Sequence, residues 1–126
     1  WSPLARGLLE GDRTRKAGEG PTKRAQTDQV ARNLYFHEND YEVAVAAQQV
    51  AKARGLTATQ VACAWMLQAP GVTAPIIGAT KTHHLKEIFA VVDVKLTAEE
   101  VATVEKPYQP HPISGHEQPS PRKMVK

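Results

Sequence analysis

The chain opens with the stretch WSPLARGLL at residues 1–9, and a second stretch, APIIGATK, occupies residues 74–81. Each combines apolar residues with a glycine and a hydroxyl side chain, a pattern typical of a strand that passes into a loop. Gly7 and Gly78 let the backbone come close to a ligand, because glycine has no side chain. Together the two stretches predict an α/β fold in which two strand-to-loop junctions present backbone amides to an anion.

Composition is that of one ordinary domain. The 126 residues include 41% hydrophobic and 23% charged residues, and the net charge is +3. The basic residues near both ends have no aromatic residues among them, so a solvated loop and tail explain them better than nucleic-acid binding does. No run approaches the ~18 apolar residues of a membrane span. We therefore expect neither a nucleic acid nor a membrane as a partner.

Cys63 is the single cysteine of the sequence. It can form no internal disulfide, so an oxidising compartment is not indicated and a cytoplasmic location is expected. Its apolar neighbours predict a buried structural thiol rather than a nucleophile. The histidines lack the i, i+4 spacing and the acidic or cysteine neighbours of a metal site, so we expect no bound metal.

Helices dominate the predicted elements. Residues 10–37 are predicted as a long surface loop, with a short helix within residues 27–36 whose Val30, Leu34 and Tyr35 point inward. Further helices are predicted to run from a cap at Asp40 to about Arg54, from a capping box at residues 57–60 to Pro70, from Lys81 or Thr82 onward, and from a capping box at residues 97–100 to Pro107. The third of these carries Leu85, Ile88, Phe89 and Val92 at helical spacing.

A strand is predicted at residues 72–77, between two of these helices. With the end of a strand at residue 1, the chain would contain only two strands. Parallel strands are normally buried on both faces of a larger sheet, so two of them have no stability of their own. The pattern therefore predicts a piece of a larger α/β fold, or strand partners that another chain supplies.

Residues 78–81 carry groups that favour a phosphate. Free amides and the positive dipole end at the start of the following helix attract an anion. Thr80 adds a hydroxyl donor and Lys81 a mobile cation. Taken alone, the motif fits a phosphate site and an ordinary strand-to-helix turn about equally well. Trp1 is likewise open to two interpretations, a stacking surface for a flat ring or a core tryptophan.

Four segments, in order, resemble the C-terminal part of an aldo-keto reductase. They are residues 1–9, RAQTD at residues 24–28, PGVTAPIIGATK at residues 70–81, and PYQPHP at residues 107–112. The branch related to potassium-channel β subunits is the most similar. The resemblance implies strands seven and eight of a (β/α)8 TIM barrel, with their helices, over residues 1–106, including the loop at residues 10–37 over the cofactor. Residues 107–126 would form a proline-rich tail.

The resemblance also implies an NADP-dependent oxidoreductase that reduces aldehydes or ketones, and it assigns residues to the cofactor NADP(H). Trp1 would stack on the nicotinamide, and Arg24 would belong to the loop that folds over the cofactor. The pyrophosphate would follow Ser2, Pro3, Leu4, Ala5 and Gly7. The adenosine 2′-phosphate and the adenine would contact the strand-eight loop and the helix that follows it. The residues assigned there are Ile77, Gly78, Ala79, Thr80, Lys81, His84, Glu87 and Ile88. His84 stands where the family usually has Arg or Gln, and Ile88 where it usually has Asn.

The catalytic Asp, Tyr, Lys and His of that family have no match in this sequence, so no catalytic residue is assigned. The chain alone is therefore expected to be inactive, and to depend for its stability on a missing N-terminal barrel half or an oligomeric partner, because an incomplete barrel exposes strand edges. Two alternatives remain open. One is a non-enzymatic nucleotide-sensing or interaction module, and the other is an inactive truncated remnant.

Overall fold

The structure, a computed structural model, describes residues 1–11, 22–35 and 37–111, and these form a set of α-helices joined by loops. The helices are α1 (Lys23–Thr27), α2 (Gln29–Leu34), α3 (Glu38–Arg54), α4 (Ala58–Gln68), α5 (Thr82–Phe89) and α6 (Ala98–Glu105). A short 3-10 turn at Ala5–Gly7 precedes them. Within the described ranges, no helix has both the length and the hydropathy needed to cross a membrane.

The starts of α4 and α6 confirm the two predicted capping boxes. In α4, the Thr57 hydroxyl accepts from the backbone N–H of Gln60 at 3.2 Å, while the Gln60 side chain accepts from the Thr57 N–H at 3.0 Å. In α6, Thr97 and Glu100 make the same reciprocal pair, at 3.2 and 2.8 Å. These contacts span three residues, which is why the sequence alone locates them.

The start of α3 differs from the prediction. Asp40 is not the cap but the third residue of the helix, and its carboxylate accepts from the backbone N–H of His37 at 2.9 Å. An acidic side chain can accept a free backbone N–H at the start of a helix either from the cap position or from the third helical position. The sequence does not distinguish these two roles. The end of α3 is as predicted, because Gly55 adopts the left-handed conformation at φ 64° that favours glycine.

The main core lies between α3, α4 and α6, with the segment before α6 packed against them. Its buried residues are Ala47, Val50, Ala51, Val61, Cys63, Ala64, Val91, Leu96 and Val104. The prediction of a buried thiol is confirmed, since Cys63 is 1% exposed. Burial, with Glu87 and Glu10 adding to it, raises the pKa of this thiol to about 11. A second, smaller cluster joins Leu8 to Tyr41 and Ala44 on α3.

The predicted strand at residues 72–77 is not formed in the described part of the chain. These residues form neither helix nor strand, and the described residues contain no strand elsewhere that could pair with them. A strand exists only through hydrogen bonds to a neighbouring strand. An apolar run alone therefore does not make one.

Apolar residues on two helices are exposed, and the inward position predicted for Val30 is wrong. On α5 and just after it, Leu85, Phe89 and Val92 are exposed, the last two at 71% and 63%, while Ile88 is half-buried. Val30 on α2 is exposed as well, whereas Leu34 and Tyr35 are half-buried. An apolar stripe becomes buried only where another element packs on it, and periodicity does not report that element.

The predicted loop at residues 10–37 is described in part. Residues 22–35 form α1 and α2, so the predicted short helix exists as α2, with Asp28 as its N-cap. Residues 12–21 and residue 36 of that loop lie outside the described residues, as do residues 112–126 of the predicted tail.

Candidate functional site

The first loop turns tightly at residues 2–7. Ser2, Ala5 and Arg6 have φ angles of 53°, 46° and 55°, which lie in the left-handed region. The backbone N–H of Ala5 donates to the Ser2 carbonyl at 2.9 Å, and that of Gly7 donates to the Leu4 carbonyl at 3.0 Å. Leu8 then anchors the loop by packing on α3. The backbone of residues 2–7 thus adopts an unusual conformation, and Leu8 fixes its C-terminal end on α3.

Arg6 connects this turn to α2. Its Nε and Nη2 atoms donate to the two carboxylate oxygens of Asp28, at 2.9 and 3.1 Å. Asp28 is buried, and its Oδ1 also accepts from the Ala31 N–H at 3.0 Å as the cap of α2. The hydrogen bond to Asp28 raises the pKa of the Arg6 guanidinium. Such a two-pronged pair fixes both partners in orientation.

The first of two adjoining cavities lies between this loop and residues 76–78. It has a volume of about 260 Å³. Its lining residues are Trp1, Ser2, Pro3, Leu4, Arg6, Gly7, Glu10, Ile76, Ile77 and Gly78. Trp1 is 75% exposed and offers a flat aromatic face rather than a core contact. A Cβ built on Gly78 would meet no atom within 4 Å, so the backbone there opens onto free space.

The second cavity lies at the start of α5 and has a volume of about 230 Å³. Its lining residues are Leu4, Glu10, Thr59, Gly78, His83, His84, Glu87 and Ile88. The Thr57 hydroxyl donates to Oε1 of Glu87 and fixes that carboxylate. The rings of His83 and His84 meet edge to face, with their centroids 4.4 Å apart. The two cavities share Leu4, Glu10 and Gly78, so one extended ligand could occupy both.

Most of the residues chosen from sequence come together here. Those that line one or both cavities are Trp1, Ser2, Pro3, Leu4, Gly7, Ile77, Gly78, His84, Glu87 and Ile88. Ala5, Ala79, Thr80 and Lys81 belong to the same two loops but line neither cavity, and Lys81 is the N-cap of α5. Arg24 lies in α1, and its side chain is outside what the structure describes.

Five cavity residues were not chosen from sequence: Arg6, Glu10, Thr59, Ile76 and His83. Arg6, Ile76 and His83 stand next to chosen residues, so their position in the two loops was the available signal. Thr59 comes from α4, and tertiary packing alone brings it to the cavity. Among the described residues, no group of three His, Cys, Asp or Glu side chains is placed to hold a metal ion.

A larger apolar groove of about 660 Å³ lies between α3, α4 and α6, and it shares Pro3 with the first cavity. Leu9, Trp65 and Tyr108 are among its lining residues, and the Trp65 Nε1 donates to Oε1 of Glu105 at its edge, at 2.8 Å. Of the tyrosines, Tyr108 borders this groove, whereas Tyr35 and Tyr41 belong to the smaller core cluster. No tyrosine therefore lines either of the two adjoining cavities.

The geometry suits a long ligand with a flat ring at one end and an anionic middle. The ring would lie near Trp1, and the anion would meet the backbone of residues 2–7 and the N-terminal end of α5. Carboxylate and imidazole groups at the second cavity would hydrogen-bond a polar end. A dinucleotide has these parts in this order.

Comparison with known proteins gives sequence matches over most of this chain. A sequence model described as the aldo/keto reductase family matches residues 1–109. The chain is 37% identical over 115 residues to a Schizosaccharomyces pombe protein named as a "putative aryl-alcohol dehydrogenase", with 91% of this chain and 31% of that protein covered. It is 34% identical over 116 residues to the versiconal hemiacetal acetate reductase of Aspergillus parasiticus, with 90% and 32% covered.

An aldo-keto reductase of Fusarium vanettenii is 32% identical over 120 residues, with 92% of this chain and 30% of that protein covered. The chain thus spans about a third of the length of the curated relatives it matches.

Proposed function

Because the chain belongs to the aldo/keto reductase family, we propose that its two loops and α5 hold the nicotinamide dinucleotide of a carbonyl oxidoreductase. One observation carries this proposal. Residues 1–10 and residues 76–88, far apart in sequence, line two cavities that share Leu4, Glu10 and Gly78. The residues that the family resemblance assigns to the cofactor are largely those that border this space.

Each part of the ligand has a matching group. The Trp1 ring would stack on the nicotinamide, and the turn at residues 2–7 would follow the pyrophosphate. The first turn of α5 would add its dipole at the adenosine end. His84 and Glu87 would hydrogen-bond the ribose phosphate and the adenine. Gly78 would lie against the dinucleotide, since its lack of a side chain leaves room on the cavity side.

We propose NADP(H) rather than NAD(H) as the cofactor. Lys81, at the N-cap of α5, is exposed and long enough to move toward a 2′-phosphate, and His84 borders the second cavity. Arg24 would add a third cation from α1, as the family resemblance implies. We also propose that residues 1–106 form the seventh and eighth strand units of a (β/α)8 barrel, in which residues 72–77 would pair with neighbouring strands.

The bound nicotinamide would supply or accept a hydride at a carbonyl carbon. The residues of this chain would orient it. A second candidate, nucleotide binding without catalysis, is favoured by the absence of any tyrosine from the lining of the two described cavities. The kinship with potassium-channel β subunits, the dependence on further barrel segments or an oligomeric partner, and the cytoplasmic location stay predictions.

Small carbonyl compounds are the proposed substrate class. One relative is named for aryl alcohols and another for a hemiacetal acetate. Aromatic aldehydes are therefore the substrates to test first, with loss of NADPH absorbance as the signal. Consumption of NADPH that depends on the aldehyde would support the enzyme, whereas binding without consumption would support the nucleotide-binding module.

The site itself is tested by substitution at Gly78. Gly78→Ala and Gly78→Val add one and three carbons to the shared wall of the two cavities, and the alanine causes no clash within the protein. We expect unchanged thermal stability for Gly78→Ala, and weaker NADPH affinity that falls further for Gly78→Val. Ala102→Val, on the exposed side of α6, is the control. Wild-type affinity in both Gly78 variants, measured by NADPH fluorescence titration, would contradict the proposed site.

A further inference from the structure

The turn beside the first cavity needs something to hold it. Three residues other than glycine adopt the left-handed region within residues 2–6. L residues keep such conformations only where surrounding contacts over-determine them. Two backbone hydrogen bonds within the turn act along the chain, and the packing of Leu8 on α3 holds the end of the loop. None of these contacts fixes the position of the Arg6 side chain.

The fork between Arg6 and Asp28 is the contact that holds the Arg6 side chain from another element. The two residues are 22 positions apart, and both carboxylate oxygens of Asp28 receive a guanidinium N–H. The Asp28 side chain is only 5% exposed, against 26% for Arg6. Because Asp28 also caps α2, its carboxylate is held on two sides. It is therefore a fixed anchor and not a mobile surface partner.

We propose that Asp28 is a positioning residue for the nucleotide: by binding Arg6, it holds the turn at residues 2–7 in the shape that borders the first cavity. Asp28 lines neither cavity and would touch no ligand atom, so it acts through Arg6. This inference rests on the proposed function, and it adds the residue that shapes the pyrophosphate loop.

A competing role for Arg6 gives the opposite result. If the guanidinium served mainly as a cation for the pyrophosphate, Asp28 would compete with the ligand for it. Removal of the carboxylate would then leave the affinity unchanged or increase it. If Asp28 holds the turn, its removal weakens binding. The direction of the change therefore separates the two roles.

Asp28→Ser is the informative variant, because serine can still cap α2 but cannot form the fork. We expect its dissociation constant for NADPH to rise about tenfold, which is about 1.4 kcal/mol. Glycine adopts the left-handed region without cost. In an Arg6→Gly background, Asp28→Ser should consequently change the dissociation constant less than twofold. Thr97→Ala, which removes the cap of α6 away from both cavities, should lower stability without changing this constant.

Amide hydrogen exchange adds a readout that needs no ligand. The N–H groups of Gly7 and Leu9 both donate to the Leu4 carbonyl, at 3.0 and 3.3 Å. In Asp28→Ser these two amides should exchange faster, while those of α4 exchange as before. Unchanged exchange at Gly7 and Leu9, or unchanged or tighter NADPH binding, would overturn the inference. A wild-type protein that binds neither NADPH nor NADH would instead overturn the proposed function, and the inference with it.

Discussion

The helical core and the two cavity loops of this protein are built in opposite ways. In the core, Val61 is fully buried, and α4 and α6 start with self-contained capping boxes. In the loops, Trp1 and Ile76 are among the most exposed apolar residues, and the backbone adopts left-handed angles. Fold stability thus resides in α3, α4 and α6, whereas the ligand-shaped surface resides where the chain is least regular.

A buried charge in the helical core should cause the largest loss of stability. Val61→Asp places a carboxylate among apolar side chains with nothing to pair it, and should lower the free energy of unfolding by roughly 3–5 kcal/mol. Val45→Asp makes the same change at a position on α3 that is 45% exposed, and should change stability by less than about 0.5 kcal/mol. Urea unfolding of both variants measures the contrast. Equal losses would mean that Val61 is not in the core.

The reactivity of the Cys63 thiol tests how tightly the helical core is packed. With a pKa of about 11, the thiol at pH 8 carries a thiolate fraction roughly a hundredfold below that of an exposed cysteine. Modification by an alkylating reagent should therefore be slow in the native protein and fast after unfolding in urea. Native-state modification at the unfolded rate would show that α4 opens freely, against the account of a tight core.

The caps explain why the core helices start where they do. Thr97→Ala removes the hydroxyl that accepts from the Glu100 N–H, and should destabilise the protein by about 1 kcal/mol. Thr103→Ala, on an exposed position of the same helix, is the matched control and should have an effect below about 0.5 kcal/mol. Thermal unfolding compares the two. A larger loss from Thr103→Ala would contradict the capping account.

Acid should weaken α6 by a small amount. Hydrogen bonding to the Thr97 N–H, and then to Arg54, holds the pKa of Glu100 below its ordinary value of 4.5. Since the folded pKa is lower than the unfolded one, this stabilisation is present above about pH 4.5 and is lost as the pH falls through the folded pKa.

Glu100→Gln should flatten that part of the stability-versus-pH profile, and Glu99→Gln, on the same turn, should not. The profiles are measured by urea unfolding between pH 6 and pH 3. Identical profiles for the two variants would show that Glu100 does not cause the loss of stability in acid.

The same comparison explains what the sequence could predict. The capping boxes and the stop at Gly55 depend on contacts within one helix, so local pattern was enough. The burial of Cys63 was predicted from its apolar neighbours on α4, although residues of α3 and α6 complete it. The burial of Val30 and the strand at residues 72–77 depend on elements that pack against them, and the sequence does not show whether those elements are present.

Chemistry-bearing residues in the two loops were found because they resemble a family motif. In contrast, Thr59 and the partnership of Arg6 with Asp28 arise from tertiary packing. They could not be read from spacing along the chain, because no local rule relates residues 22 positions apart.

Amide hydrogen exchange with and without NADPH tests the central claim most directly. If the two loops and α5 form the nucleotide site, NADPH should slow amide exchange at residues 4–9 and 78–84. The exchange rates of α3 and α6 should be the same with and without NADPH. Protection that appears instead around the apolar groove of α3, α4 and α6, with residues 4–9 and 78–84 unchanged, would contradict it.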